Sequence, residues 1–151
     1  MPRLSVHDDL PPAAAAVDAG IGEFNASAAP LHEVRPLSAF VHADDGDHAN
    51  GAVLGGVVGR TWGACAEVQQ LWVHETQRGR GLGTQLMRAF EARAAARGVR
   101  TIYLDTFSFQ AEPLYRRLGY QVRLALTGLG NDGRITKFTM VRELQGRDSD
   151  S

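Results

Sequence analysis

An α/β fold is predicted by three observations on this chain of 151 residues. Glu67-Val68-Gln69-Gln70-Leu71-Trp72-Val73 is short and ends in β-branched and aromatic residues, the composition of a strand. Leu82, Leu86, Ala89 and Phe90 then recur at helical spacing, with Arg88, Glu91, Arg93 and Arg97 largely around the other face as a solvated surface, and Gly98 placed to stop the helix. Val99 to Thr106 (VRTIYLDT) follows as a second strand. A strand, a helix and a strand in that order close with a right-handed crossover that places both strands in one sheet.

The remaining elements are predicted in chain order. Arg3 to His7 reads as a first strand. Leu10 to Ala29 is alanine-rich and opens with Pro11-Pro12, which predicts one helix, or two broken near Gly20 to Gly22. Leu37 to Ala43 and Ala52 to Trp62 read as strands around the polar segment Asp44 to Gly51, hence a hairpin. Pro113 suits the first turn of a short helix ending at Gly119, and Tyr120 to Leu126 and Ile135 to Leu144 close the sheet. No repeat or linker interrupts residues 1–144, which read as a single domain, and Gln145 to Ser151 reads as a flexible polar tail.

Composition narrows the function classes. A hydrophobic content of 44% is ordinary for a globular chain of this length. Lys and Arg number 16 against 17 Asp and Glu, so the net charge of −1 excludes a strongly basic nucleic-acid-binding domain. Cys65 is the only cysteine and reads as a small buried strand residue; it rules out an internal disulfide framework and a cysteine metal cluster. No apolar run approaches a membrane span and the amino terminus lacks a secretory hydrophobic core, so a cytoplasmic protein without a membrane partner is expected. His42-Ala43-Asp44-Asp45-Gly46-Asp47-His48 has neither the ligand pattern of a calcium loop nor a helical histidine pair and reads as an acidic turn; no metal is expected.

Chemistry concentrates at Arg78-Gly79-Arg80-Gly81-Leu82-Gly83-Thr84, the junction between the Glu67–Val73 strand and the helix. Glycine lets a ligand approach the main chain, the first helical turn leaves its N–H groups unpaired, and the helix dipole adds partial positive charge, so such a junction receives a pyrophosphate. An ordinary strand-to-helix turn is the alternative. Arg78 and Arg80 are the nearest cations for phosphates. A Walker A loop is absent, since the chain has no lysine before Lys137, and the glycines run G-x-G-x-G at 79, 81 and 83 where a dinucleotide fingerprint needs G-x-G-x-x-G.

Arg78 to Gly83 instead fits R/Q-x-x-G-x-G/A, and Ala111-Glu112-Pro113-Leu114-Tyr115-Arg116-Arg117-Leu118-Gly119-Tyr120 fits A-x-x-[LF]-Y-x-[KR]-x-G-[FY]. On these two blocks the chain resembles the GNAT superfamily of acyl-CoA-dependent N-acyltransferases, over about Glu67 to Val122. The resemblance implies a mixed, largely antiparallel sheet splayed at the cofactor strand, with helices on both faces. It implies acetyl-CoA as co-substrate and direct attack by a primary amine of a small molecule or peptide in a ternary complex. Tyr115 takes the general-acid position and Glu67 the general base, with a core tyrosine, and a surface carboxylate beside an ordered water, as their alternatives. Leu71, Trp72 and Val73 would pair with pantetheine and place an N–H near the oxyanion, while Arg78, Gly79, Arg80, Gly81, Leu82, Gly83 and Thr84 would hold the phosphates. Ser108 stands where many members carry a cofactor-binding asparagine, and Phe107 and Phe109 beside it are placed to shape the acyl or acceptor pocket. Phe24, Asn25 and Trp62 are candidates for the acceptor side. A silent acyl-CoA-binding or sensor module on the same fold stays open as the rival function, and homodimerisation is left undecided.

Overall fold

Six strands form one sheet in the computed structural model, which describes residues 1–44 and 51–145. They are β1 (Arg35–His42), β2 (Val53–Trp62), β3 (Cys65–Val73), β4 (Thr101–Phe107), β5 (Gln121–Leu129) and β6 (Ile135–Glu143), in the order β1-β2-β3-β4-β6-β5. Among neighbouring strands only β3 and β4 run parallel, and they are joined by a crossover through a helix, α2 (Leu82–Ala96), in place of a turn. A short helix, α3 (Glu112–Arg117), follows β4. By contact, the chain divides into two compact units, Met1–Glu33 and Val34–Ser151. The first holds α1 (Ala14–Ala28); the second holds the sheet, α2 and α3.

Alternation along the strands selects the buried face. Gly55, Val57, Gly59 and Thr61 of β2 are buried on one side, as are Ile102, Leu104 and Thr106 of β4, with Tyr103 and Asp105 on the other. Helix α2 lays Leu86, Met87, Phe90 and Ala94 on this face, each side chain of Leu, Met or Phe size contributing about 1.5–3 kcal/mol of burial. Contact is close enough that a Cβ on Gly59 would lie 2.9 Å from the Phe90 ring and 2.1 Å from the carbonyl oxygen of Glu67.

The β3–β4 ladder is short. It runs from Cys65↔Thr101 to Val68↔Leu104 and stops there. Beyond it β3 stays with β2 to Val73, and β4 stays with β6 to Phe107, so the two strands part. The cause lies in the β2–β3 register, where Val58 faces Gln70 but Gly59 faces Val68, leaving Gln69 as an extra residue. Such a bulge bends its strand and raises the local twist.

Several expectations change. Arg3 to His7 forms no strand, for it has no ladder partner among the described residues, and a strand without one has no stability of its own. Residues 14–28 make one helix through Gly20 and Gly22, the surrounding alanines offsetting the roughly 1 kcal/mol each glycine costs. Ala89 is exposed, whereas Glu91, expected on the solvated face, is buried. Its carboxylate is held by Arg142 of β6 and by Arg88 at 3.1 Å. Arg97 also leaves the solvated set, since its guanidinium donates to Pro36 O at 3.0 Å and Thr61 Oγ1 at 3.1 Å. Cys65 is exposed at the start of β3. Of the predicted turn from Asp44 to Gly51 and the tail from Gln145 to Ser151, residues 45–50 and 146–151 lie outside the described residues. No helix among the described residues is long and apolar enough to cross a membrane.

The tight contact at Gly59 generates a stability prediction. Gly59→Ala has to push β3 away at the bulge, so thermal unfolding should shift downward by several degrees, equivalent to about 2–3 kcal/mol. An unchanged midpoint would mean that the bulge accommodates a side chain freely.

Candidate active site at the strand splay

Where β3 and β4 part, they leave a cleft of about 780 Å³. Residues 68–73 of β3 form one wall and Leu104, Asp105 and Thr106 of β4 the other; Arg78, Gly83, Leu114, Tyr115 and residues 109–111 complete it. Register assigns the walls to the two faces of the sheet. Leu71 and Val73 lie opposite Val57 and Gly55, on the α2 face with Leu104 and Thr106. Gln70 and Trp72 lie opposite Val58 and Gly56, on the other face with Asp105. The cleft therefore passes through the sheet. Backbone groups of residues 69–73 that a continued ladder would have paired with β4 now face it. Arg78 Nε donates to one of these carbonyls, Val73 O, at 3.1 Å.

The glycine loop borders the α2 side. A single 3-10 turn, Glu75–Gln77, leads into it, capped by His74 Nδ1 accepting from Thr76 N at 3.2 Å. Gly79 at φ +77° and Gly81 at φ +80° then adopt the left-handed conformation that favours glycine, and Gly81 is the N-cap of α2 with no side chain to satisfy the first turn. Leu82, Gly83 and Thr84 bring first-turn N–H groups that lack intrahelical acceptors. A Cβ at Gly79 or Gly81 would meet nothing within 4 Å, so the space over the loop is open. Gly83 differs: a Cβ there would lie 3.1 Å from Leu114 Cδ2, so it also lets α2 approach α3. Arg80 is exposed beside the loop.

Tyr115 comes into the cleft from α3 and is buried. Burial alone pushes its phenol up to about 12. Its ring packs edge-on against Tyr120 at 6.0 Å between centroids. Tyr120 is buried with a hydroxyl that has no hydrogen-bond partner among the described residues, and burial, then the neighbouring Tyr115, raises its phenol as well.

Glu67 is not in the cleft wall. It lies on the opposite face beside the cleft, where Arg60 holds its carboxylate at 3.0 Å and Tyr103 OH donates to it at 3.3 Å. Burial first, then the charge of Glu67, raises the Tyr103 phenol. Ser108 is likewise outside the wall. Its hydroxyl accepts from Thr136 N at 3.1 Å, tying the end of β4 to β6, and the side chain present nearby is Gln110, whose Oε1 accepts from Phe107 N at 3.0 Å. Phe109 lies in the wall, its ring stacked on Phe107 at 5.3 Å. Trp62 lies at the far end of β2, opposite Cys65 and away from the cleft. Phe24 and Asn25 belong to α1, in the amino-terminal unit.

Sequence reasoning missed Asp105, Gln70 and Gln110. Alternation in VRTIYLDT separates Asp105 from Leu104 and Thr106, and that was the signal available for it; nothing comparable marks the two glutamines. Asp105 accepts from Thr139 Oγ1 at 2.5 Å and lies 3.7 Å from Lys137 Nζ. Among the described residues no group of three or more His, Cys, Asp or Glu is arranged to hold a metal ion.

Comparison with known proteins bears on this site. Residues 11–120 match the family described as Acetyltransferase (GNAT) family. Blasticidin-S acetyltransferase of Streptomyces morookaense is 34% identical over 146 residues, spanning 95% of this chain and 98% of that protein. Acetyltransferase Atu2258 of Agrobacterium fabrum (strain C58) is 33% identical over 102 residues, 68% of this chain and 71% of its own. The crystal structure of an acetyltransferase from Bacillus cereus ATCC 14579 has the same fold, with a TM-score of 0.73 at 24% identity over 93% of this chain and 98% of that one.

The buried phenols make stability pH-dependent in one direction. Tyr115 titrates at about 12 when folded and near 10 when unfolded, so its contribution is complete below pH 10 and is lost as pH rises through 12. Urea midpoints should fall between pH 9 and pH 11.5, and fall less in Tyr115→Phe. Equal losses in the two proteins would show that Tyr115 ionises normally in the fold.

Proposed function

The chain belongs to the GNAT family of acetyltransferases, and as its reaction we propose the transfer of an acetyl group from acetyl-CoA to the primary amine of a small molecule, by direct attack within a ternary complex. The observation that carries this reading is the cleft through the sheet, with the glycine loop and Tyr115 on one side and carboxylates on the other. Acetyl-CoA supplies the activated thioester and a thiol leaving group. The first-turn N–H groups of α2, with Arg78 and Arg80, are suited to its pyrophosphate. The freed backbone of Leu71 and Val73 is suited to the amide-bearing pantetheine arm and to an oxyanion. The open space over Gly79 and Gly81 supports this fit.

The other residues divide the proton work. Tyr115, a protonated phenol in the cleft wall, donates to the departing sulfur. The amine approaches from the opposite face, where Glu67 takes its proton across an intervening water, its carboxylate oriented by Arg60 and Tyr103. A small-molecule acceptor is favoured over a peptide because the relative matched over 95% of this chain is named for acetylating blasticidin S.

Two measurements test the reading. Gly81→Val places a β-branched side chain at φ +80° over the phosphate position, and calorimetric titration should give CoA affinity weakened at least tenfold with the circular dichroism unchanged. Unaltered affinity would remove the loop from the cofactor site.

Tyr115→Phe keeps the packing and removes the donor. Acetyl-CoA should bind as before while kcat falls roughly 10²-fold, the scale for losing a positioned acid, with the deficit shrinking as pH rises. Equal turnover at neutral pH, with chemistry rate-limiting, would make Tyr115 a packing residue.

A further inference from the structure

Lys137 is the only lysine in the chain, one among 16 basic side chains, and therefore its only side-chain primary amine. Guanidinium groups stay protonated and are poor nucleophiles, whereas an amine that sheds a proton attacks thioesters. The position of this amine is specific. Lys137 lies opposite Phe107 in the β4–β6 ladder, on the face of the sheet that carries Asp105, Gln70 and Trp72. Its Nζ is 3.7 Å from Asp105 Oδ2, and Asp105 is part of the cleft wall. Thr139 Oγ1 holds the other carboxylate oxygen at 2.5 Å, so the anchor of the amine is itself fixed. About one third of the Lys137 side chain remains exposed, leaving it room to swing.

We propose that Lys137 is an internal acetyl acceptor, modified by the protein's own acetyl-CoA when no amine substrate is present; this rests on the acetyl-transfer reading above. The Nζ–carbonyl carbon bond forms and the carbon–sulfur bond of the thioester breaks. Of the two protons the ammonium loses, one passes by way of Asp105 to solvent and one ends on the thiol of CoA. Tethering at the cleft rim converts this into a unimolecular step with a large effective concentration. Acetylation removes the charge of Lys137 and its pair with Asp105. Asp105 is then left with Thr139 alone, a carboxylate at the cleft rim available to a cationic acceptor.

The test is intact mass and peptide mapping after incubation with acetyl-CoA and no acceptor, beside a thiol-release assay on an amine panel. The expected result is one acetyl group on Lys137, gained at a rate independent of protein concentration and absent from urea-unfolded chain and from Lys137→Arg. Asp105→Asn should slow the labelling about tenfold, and the acetylated protein should show an altered KM for cationic amines. An unmodified Lys137 in a protein that releases thiol with amines overturns the proposal and leaves the function standing. No label together with neither thiol release nor CoA binding overturns both. Equal labelling of the unfolded chain, or a rate that grows with protein concentration, identifies chemical background and also overturns it.

Discussion

The site depends on four ladder positions not being followed by a fifth. If β3 and β4 stayed paired beyond Val68 and Leu104, the backbone from 69 to 73 would be saturated and the space between the strands filled. The bulge at Gln69 prevents this by inserting one residue against β2, which turns β3 away while its other edge remains hydrogen-bonded. Separation costs unpaired backbone groups, and these are the groups a ligand rich in amides and carbonyls satisfies. Gly59, whose missing Cβ makes room for the carbonyl of Glu67, is as much a part of the cleft as any residue lining it.

The two halves of the sheet then need something to hold them at a fixed angle. Glu91, buried on α2, joins the helix to β6 through Arg142 and is braced by Arg88. A buried carboxylate is tolerated only with such partners, and a shared pair of this kind is sensitive to geometry. Arg97, reaching Pro36 and Thr61, fixes the other end of α2 to β1 and β2. The helix whose first turn faces the cleft is thus tied to both sides of the splay by its own side chains.

Local rules made most of this legible. The glycines at 79, 81 and 83 marked the junction ahead of α2, and helical periodicity located that helix. Pro113 with Gly119 bracketed α3, so the sequence alone places Tyr115 on that helix. Long-range facts were not legible. Glu91 follows the pattern of a surface residue and is buried only because Arg142, 51 positions later by the numbering, arrives beside it. The segment from Arg3 to His7 has strand composition but no ladder partner among the described residues, which no local rule reports. Ser108 occupies the expected position in the chain, yet its hydroxyl is spent on Thr136. Asp105 was hidden in a strand whose alternation was visible but whose opposite face had no assigned purpose.

The sheet order carries a consequence for how the chain acquires its shape. Strand β6 lies between β4 and β5 but comes after both in the chain. During synthesis on the ribosome, β4 must wait with one edge bare until about thirty further residues have emerged and threaded between it and β5. For that interval the strand that forms half of the cleft is an open template for any neighbouring chain. Nascent copies on a crowded polysome are consequently most exposed to mispairing at the strand that walls the cleft of the finished protein.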